Sequence, residues 1–128
     1  MTGVRATAGL AARRVRSTIA PGGLVLMYHR IADEPVDPSG VVVSPKCFAE
    51  QIEVLAGLGS AVALADLVDA RKSRDRRSGS VAVTFDDGYL DNLVHARPIL
   101  EREGVPATVF AVSGHIGRDI PYWWDELE

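Results

Sequence analysis

The sequence has few of the residues that define disulfide-rich or membrane-spanning proteins. Among its 128 residues there is one cysteine, Cys47, so no disulfide can form within the chain. No run approaches the ~18 consecutive apolar residues that a membrane-spanning helix requires. With 47% hydrophobic and 24% charged residues, the chain instead has the composition of one domain with an apolar core. We therefore expect no transmembrane segment and no disulfide framework.

Several common catalytic motifs are also missing. The sequence contains no glycine-rich phosphate loop, no Gly-x-Ser-x-Gly motif and no His-Glu-x-x-His motif. Two of its three histidines, His29 and His115, each follow a predicted strand, so together with Asp87 they form one candidate metal site. The alternatives are a loop position for His115 and, for His29, a hydrogen-bonded structural role.

Positive charge is concentrated in two segments although the net charge is −3. Residues 1–22 form a basic arm rich in arginine, and residues 71–77 form a second basic cluster before a Ser-Gly turn. The arm lacks the apolar stretch of a signal peptide, which favours a cytoplasmic protein over a secreted or cell-envelope one. The cluster has no interleaved aromatic residues, so we expect a solvated loop and no nucleic-acid partner.

Strand-like and helix-like segments alternate along residues 23–128. Apolar runs at 24–28, 80–85 and 106–112 predict strands buried on both faces, and a short strand is expected near 61–62. The alternation predicts a parallel α/β sheet with right-handed crossovers.

Two of the intervening helices have clear end signals. Ser44 and Pro45 are a typical N-cap and first helical residue, and the helix that follows should bury Phe48, Ile52 and Leu55. A short helix is expected around 64–68. A third helix is expected between 89 and 104, with Tyr89, Leu93, Ala96 and Leu100 on one face and a bend or break at Pro98.

The most informative feature is a pair of acids directly after the strand at 80–85. Asp86 and Asp87 precede Gly88, at the carboxyl end of a strand, where functional residues of parallel sheets lie. Neighbouring side chains point in different directions, so one carboxylate can bind a metal while the other acts as a base. The equally weighted alternative is that one acid caps the helix beginning near Tyr89.

Three segments resemble one known family. Thr84-Phe85-Asp86-Asp87-Gly88-Tyr89 resembles the first signature motif of polysaccharide deacetylases, the NodB-homology carbohydrate esterases. The segment at 104–110 resembles the strand that follows in that family, and the segment at 26–30 resembles the opening strand of its bacterial branch. The resemblance covers roughly residues 24 to 127.

The resemblance implies a distorted (β/α) barrel that removes N-acetyl or O-acetyl groups from carbohydrate with a divalent metal, often zinc. It implies that Asp86 is the catalytic base and Asp87 a metal ligand, with His29, Gly88 and Tyr89 at the rim of the site. The substrate would be an acetylated glycan. Aromatic side chains can stack on sugar rings or anchor neighbouring structure, and both roles are open for Trp123 and Trp124.

The sequence departs from the family at the remaining metal ligands. The family's His-x-x-x-His-Pro motif does not occur, so its two histidine ligands are missing. Closed (β/α) barrels need roughly 200 residues or more, so we expect an incomplete, N-terminal half-barrel, inactive alone. Two other hypotheses are a non-catalytic carbohydrate-binding relic and a structural subunit that associates through its open sheet edge.

Overall fold

The fold is an α/β arrangement, described by a computed structural model for residues 23–72, 79–118 and 120–126. In chain order its elements are β1 (Leu24–Tyr28), β2 (Arg30–Ile31), β3 (Val42–Val43), α1 (Pro45–Leu58), α2 (Leu64–Lys72), β4 (Val81–Phe85), a π-helical segment (Asn92–Ala96), α3 (Arg97–Glu103), β5 (Ala107–Val109) and a 3₁₀ turn (Ser113–His115). The basic arm at 1–22 and most of the basic cluster at 71–77 lie outside the described residues.

The main sheet has three parallel strands in the order β1-β4-β5. Tyr28 of β1 is paired with Phe85 of β4, and Phe85 is paired in turn with Val109 of β5. Every residue of the central strand β4 is buried. The predicted parallel α/β sheet is therefore confirmed, and its three strands end at the same edge.

The two outer strands are less buried than their apolar sequences predicted. In β1 the side chain of Met27 is 61% exposed, and Val109 of β5 is 51% exposed. β5 also covers only three of the seven residues expected to be extended. The prediction of strands buried on both faces is therefore right only for β4, the central strand, which is buried along its whole length.

Helix α1 supplies one side of the core, as predicted. The hydroxyl of Ser44 accepts a hydrogen bond from the amide of Cys47, and Pro45 occupies the first turn. Phe48, Ile52 and Leu55 are buried. The Phe48 ring contacts the rings of Tyr28 and Phe85 at centroid distances of 5.1 and 5.8 Å. Burying each of these large side chains contributes about 1.5–3 kcal/mol to stability.

Near Pro98 the helix changes its hydrogen-bond pattern without a break in the chain's helical course. A π-helical segment ends at Ala96 and α3 begins at Arg97, and both of these residues have right-handed helical backbone angles. Leu100 is buried and Gly104 ends α3 in a left-handed conformation. Leu93, which the spacing places on one helix face with Leu100, is 55% exposed.

Smaller features complete the fold. Helix α2 forms as expected, and the expected strand near 61–62 is reduced to one bridge between Ala61 and Val81. The two-stranded parallel pair β2-β3 has no counterpart among the predictions. Among the described residues, none of the helices has the length and apolar character to cross a membrane.

Candidate active site

The site lies where β1 and β4 end side by side. The amide of Asp86 donates a hydrogen bond of 2.9 Å to the carbonyl of Tyr28, which continues the pairing one residue beyond β4. His29 follows Tyr28 directly. The parallel register thus brings His29, Asp86 and Asp87 to one edge of the sheet, as the sequence predicted.

The backbone of Asp87 has an unusual conformation. Its φ of 69° makes it the only non-glycine residue with positive φ in the described part of the chain. Its carbonyl accepts hydrogen bonds from the hydroxyl of Tyr122 at 2.6 Å and the amide of Val112 at 3.4 Å. Aspartate tolerates this left-handed region better than most residues, yet the conformation still costs energy and is common at functional sites.

Gly88 continues the sharp turn. Its φ is 76°, and a Cβ built at this position would lie 3.0 Å from the Cβ of Ala111 and 3.1 Å from its Cα. The turn therefore requires glycine both for its dihedral angle and for the close approach of the segment after β5.

The two carboxylates have different surroundings. Asp87 lines a cavity of about 220 Å³, whereas Asp86 does not line it. The other lining residues are His29, Arg30, Ser39, Val41, Val42, Tyr89, Trp124 and Asp125. This arrangement agrees with the expectation that neighbouring side chains at a strand end diverge.

The capping alternative finds no support. The N-cap of the π-helical segment is Asp91. Within the described residues, neither Asp86 nor Asp87 accepts a side-chain hydrogen bond from a helix N-terminus. Both carboxylates are therefore available for chemistry at the sheet edge.

One wall of the cavity is a hydrogen-bonded aromatic cluster. The hydroxyl of Tyr89 donates to Asp125 Oδ1 at 2.8 Å and accepts from Trp124 Nε1 at 2.8 Å. The guanidinium of Arg30 lies 4.9 Å from the centre of the Tyr89 ring, within cation–π range. These contacts hold the Tyr89 side chain in the cavity wall, and its place at the rim of an active site stays a prediction.

Arg30 and Asp91 join the opening strand to the segment after the acid pair. Arg30 Nε donates to Asp91 Oδ2 at 3.1 Å, and the amide of Ile31 donates to Asp91 Oδ1, also at 3.1 Å. Sequence reasoning missed this role of Asp91 and the roles of Arg30 and Asp125. Arg30 lies in the segment at 26–30 that resembles the opening strand of the family, but nothing in the sequence shows that Asp91 lies beside it.

The tryptophans at 123 and 124 have different environments. The ring of Trp124 stacks on that of Tyr122, with centroids 4.6 Å apart and planes 6° apart. Trp124 therefore anchors its segment while also lining the cavity. Trp123 is 67% exposed and does not line the cavity. A sugar-stacking role for either residue stays a prediction.

The described residues do not form a complete metal centre. Residues 23–72, 79–118 and 120–126 contain no cluster of three histidine, cysteine or acidic side chains that could hold an ion. His29 and Asp87 line the same cavity, whereas His115 stacks on Tyr122 at 4.2 Å and does not line it. The candidate site of Asp87 with both histidines is thus absent, and the role of Asp87 as a ligand stays a prediction.

A second, larger and mainly apolar groove of about 800 Å³ lies beside β5. Asn92, in the π-helical segment, lines this groove and is 6% exposed. Neither its Oδ1 nor its Nδ2 has a hydrogen-bond partner within the described residues. A buried amide without partners is costly, so this wall of the groove is chemically incomplete.

Comparisons with known proteins agree with the geometry. A family profile described as Polysaccharide deacetylase matches residues 73–128. The Bacillus subtilis protein YxkH, named as a polysaccharide deacetylase, is 30% identical over 96 residues, which are 73% of this chain and 33% of YxkH. This chain is therefore similar to polysaccharide deacetylases over the N-terminal part of their domain.

Solved structures of deacetylases match the fold. IcaB from Ammonifex degensii superposes with a TM-score of 0.68 and 33% identity over 79% of this chain and 42% of IcaB. The Streptococcus pyogenes deacetylase PplD, solved with acetate, gives a TM-score of 0.65 at 23% identity over 80% of this chain and 49% of PplD. The chain spans about a third of YxkH and less than half of IcaB.

We predict that the turn at Asp87 and Gly88 is intolerant of a side chain at Gly88. Gly88→Ala and Gly40→Ala both place alanine at a positive φ, of 76° and 66°, which costs about 1–2 kcal/mol. Only Gly88→Ala also meets Ala111, since nothing lies within 4 Å at Gly40. Urea unfolding should show a free-energy loss about 1–3 kcal/mol larger for Gly88→Ala, and equal losses would contradict the close contact.

Alkaline pH should destabilise the chain through its three tyrosines. Burial raises the pKa of Tyr28, Tyr89 and Tyr122 above 10.0. Nearby acids raise the pKa of Tyr89 and Tyr122 further, and the hydrogen bond from Trp124 lowers the pKa of Tyr89 by a smaller amount than burial raises it. The unfolded chain releases these protons near pH 10.0, before the folded chain does. Stability is therefore complete below pH 10 and falls as the pH rises further.

The measurement is urea unfolding at a series of alkaline pH values, with tyrosinate absorbance recorded in parallel. Tyr89→Phe removes one ionisable hydroxyl, so the free energy of unfolding should fall less with rising pH in this variant than in the wild type. Because the chain has three tyrosines, the absorbance reports on no others. Tyrosinate formation in the folded chain at pH 10.0 would be the contrary result.

Proposed function

We propose that this chain contributes the first part of the active site of a hydrolase that removes acetyl groups from N-acetylated or O-acetylated carbohydrate. The observation that carries the proposal is the sheet edge at Asp86 and Asp87, where Asp87 lines a cavity together with His29 and Asp86 does not line it. The match to the deacetylase profile begins before this edge and includes both acids.

In this proposal Asp86 acts as the general base. A carboxylate at the mouth of a strand, without a capping role, can accept a proton from the water that attacks the acetyl carbonyl. Asp87 contributes a carboxylate to a divalent metal, most readily zinc, as the resemblance implies. The described residues do not complete the ligand set of that metal. The proposal of a bound metal is therefore supported by the resemblance to the family and not by the geometry of the site.

The 220 Å³ cavity fits a small polar substrate group. Its wall combines the rings of Tyr89 and Trp124 with the charged groups of Asp125 and Arg30. Sugars present both apolar C–H faces and hydroxyl groups, which such a mixed wall can contact. The exposed Trp123 offers a further ring outside the cavity. We therefore propose an acetylated glycan as the substrate.

We also propose that the described strands are part of a (β/α) barrel. The three-stranded sheet ends at β5, and the apolar groove beside β5 includes the unpaired amide of Asn92. We infer that polypeptide from the remaining part of a deacetylase domain covers this groove.

The catalytic proposal is tested by acetate release from an acetylated chito-oligosaccharide, using the protein as its gene encodes it. Asp86→Asn should lower the turnover number about 100-fold or more, the usual contribution of a general base. The matched control is Asp69→Asn, because the Asp69 side chain is 75% exposed on α2 and pairs with Lys72 at the surface. The control should retain full activity.

Unchanged acetate release by Asp86→Asn would reject the assignment of the base. The 128-residue chain alone should release no acetate. If the 128-residue chain does release acetate and Asp86→Asn abolishes that release, then the chain is active without further metal ligands. Glycan binding with no acetate release and no zinc uptake by the gene's full product would favour a carbohydrate-binding relic instead.

The groove proposal predicts that the isolated 128-residue chain self-associates. Leu93 lines the groove and is 55% exposed, whereas Val54 is 61% exposed on α1 and does not line it. Light scattering should therefore give a mass above that of one chain, and Leu93→Lys should lower it while Val54→Lys leaves it unchanged. A monomeric wild-type chain, or equal effects of both variants, would contradict the proposal.

A further inference from the structure

We propose that Tyr122 is a positioning residue that holds Asp87 in its left-handed conformation and so aims the Asp87 carboxylate into the cavity. The importance of that carboxylate as a metal ligand rests on the proposed function. The backbone clamp itself rests only on the contacts around Tyr122 and Asp87.

The first step is the energetic problem at Asp87. A φ of 69° is unfavourable for a residue with a Cβ, and the described neighbours of Asp87 must supply the compensation. The Asp87 carbonyl receives a hydrogen bond of 2.6 Å from Tyr122 and a weaker one of 3.4 Å from the Val112 amide. The Tyr122 hydroxyl is therefore the stronger restraint on this peptide unit.

The second step is the rigidity of Tyr122. Its side chain is 9% exposed and its ring is stacked between those of His115 and Trp124, at 4.2 and 4.6 Å. Trp124 is fixed in turn by its hydrogen bond to the Tyr89 hydroxyl. A hydroxyl on a ring held from both sides has few other positions, so it can restrain the carbonyl that it contacts.

The third step is sequence distance. Tyr122 lies 35 residues after Asp87, so the segment at 120–126 reaches back to the turn after β4. The same segment contributes Trp124 and Asp125 to the cavity. Docking of this segment therefore builds the cavity wall and fixes Asp87 in a single event.

The test is amide hydrogen exchange in the 128-residue chain, with Tyr28→Phe as the matched control. Tyr28 is also 9% exposed, and its hydroxyl donates a hydrogen bond of 2.7 Å to the side chain of Gln51 in α1, not to the Asp87 backbone. Tyr122→Phe keeps the stacked ring and removes only the hydroxyl. Exchange at Gly88 and Val112 should accelerate about tenfold, the effect of one lost hydrogen bond, and Tyr28→Phe should spare both amides.

A rescue experiment separates positioning from general stabilisation. Glycine adopts a φ of 69° without strain, so Asp87→Gly combined with Tyr122→Phe should return exchange at Gly88 and Val112 close to the wild-type rate. If Tyr122→Phe prevents folding, the same double variant should restore folding. Failure of this rescue, or equal acceleration by both phenylalanine variants, would overturn the inference. Neither result depends on acetate release, so the proposed function is tested separately.

Discussion

The hydrogen-bonded pairing of β4 between β1 and β5 is the interaction on which the rest of the structure depends. A fully buried strand must satisfy its backbone N–H and C=O groups within the protein, and two parallel neighbours do this for Val81–Phe85. The register that results sets Tyr28 against Phe85. Because the strands are parallel, the residues that follow them emerge together, and the acid pair and His29 meet at one edge.

That edge gains its shape from a segment far away in sequence. The turn at Asp87 and Gly88 leaves the carboxylates without capping roles, and the segment at 120–126 contacts the Asp87 backbone and lines the same cavity as Asp87. Tyr122 contacts the backbone of Asp87, and Trp124 contacts the Tyr89 hydroxyl. The site is therefore formed by the turn after β4 and the segment at 120–126, which are joined by these two hydrogen bonds. Arg30 packs on the Tyr89 ring.

Local signals in the sequence predicted several elements well. The hydroxyl of Ser44 and the ring of Pro45 define a helix start by local geometry, and Pro98, which lacks an amide hydrogen, lies beside the change from the π-helical segment to α3. Burial of the outer strands was predicted less well. An apolar run such as 24–28 is compatible with both a central and an edge strand, and only the order of strands in the sheet shows which one it forms.

The sequence by itself determined the parallel α/β class, the adjacency of Asp86, Asp87 and Gly88 at a strand end, and the resemblance to deacetylases, because each of these depends on residues that are neighbours in the chain. Tertiary structure alone decided which carboxylate faces the cavity, the pairing of Arg30 with Asp91 and the contact of Tyr122 with Asp87. These contacts join residues 35 or more positions apart. Their geometry follows from strand register and from the packing of a distant aromatic segment, which no local pattern specifies.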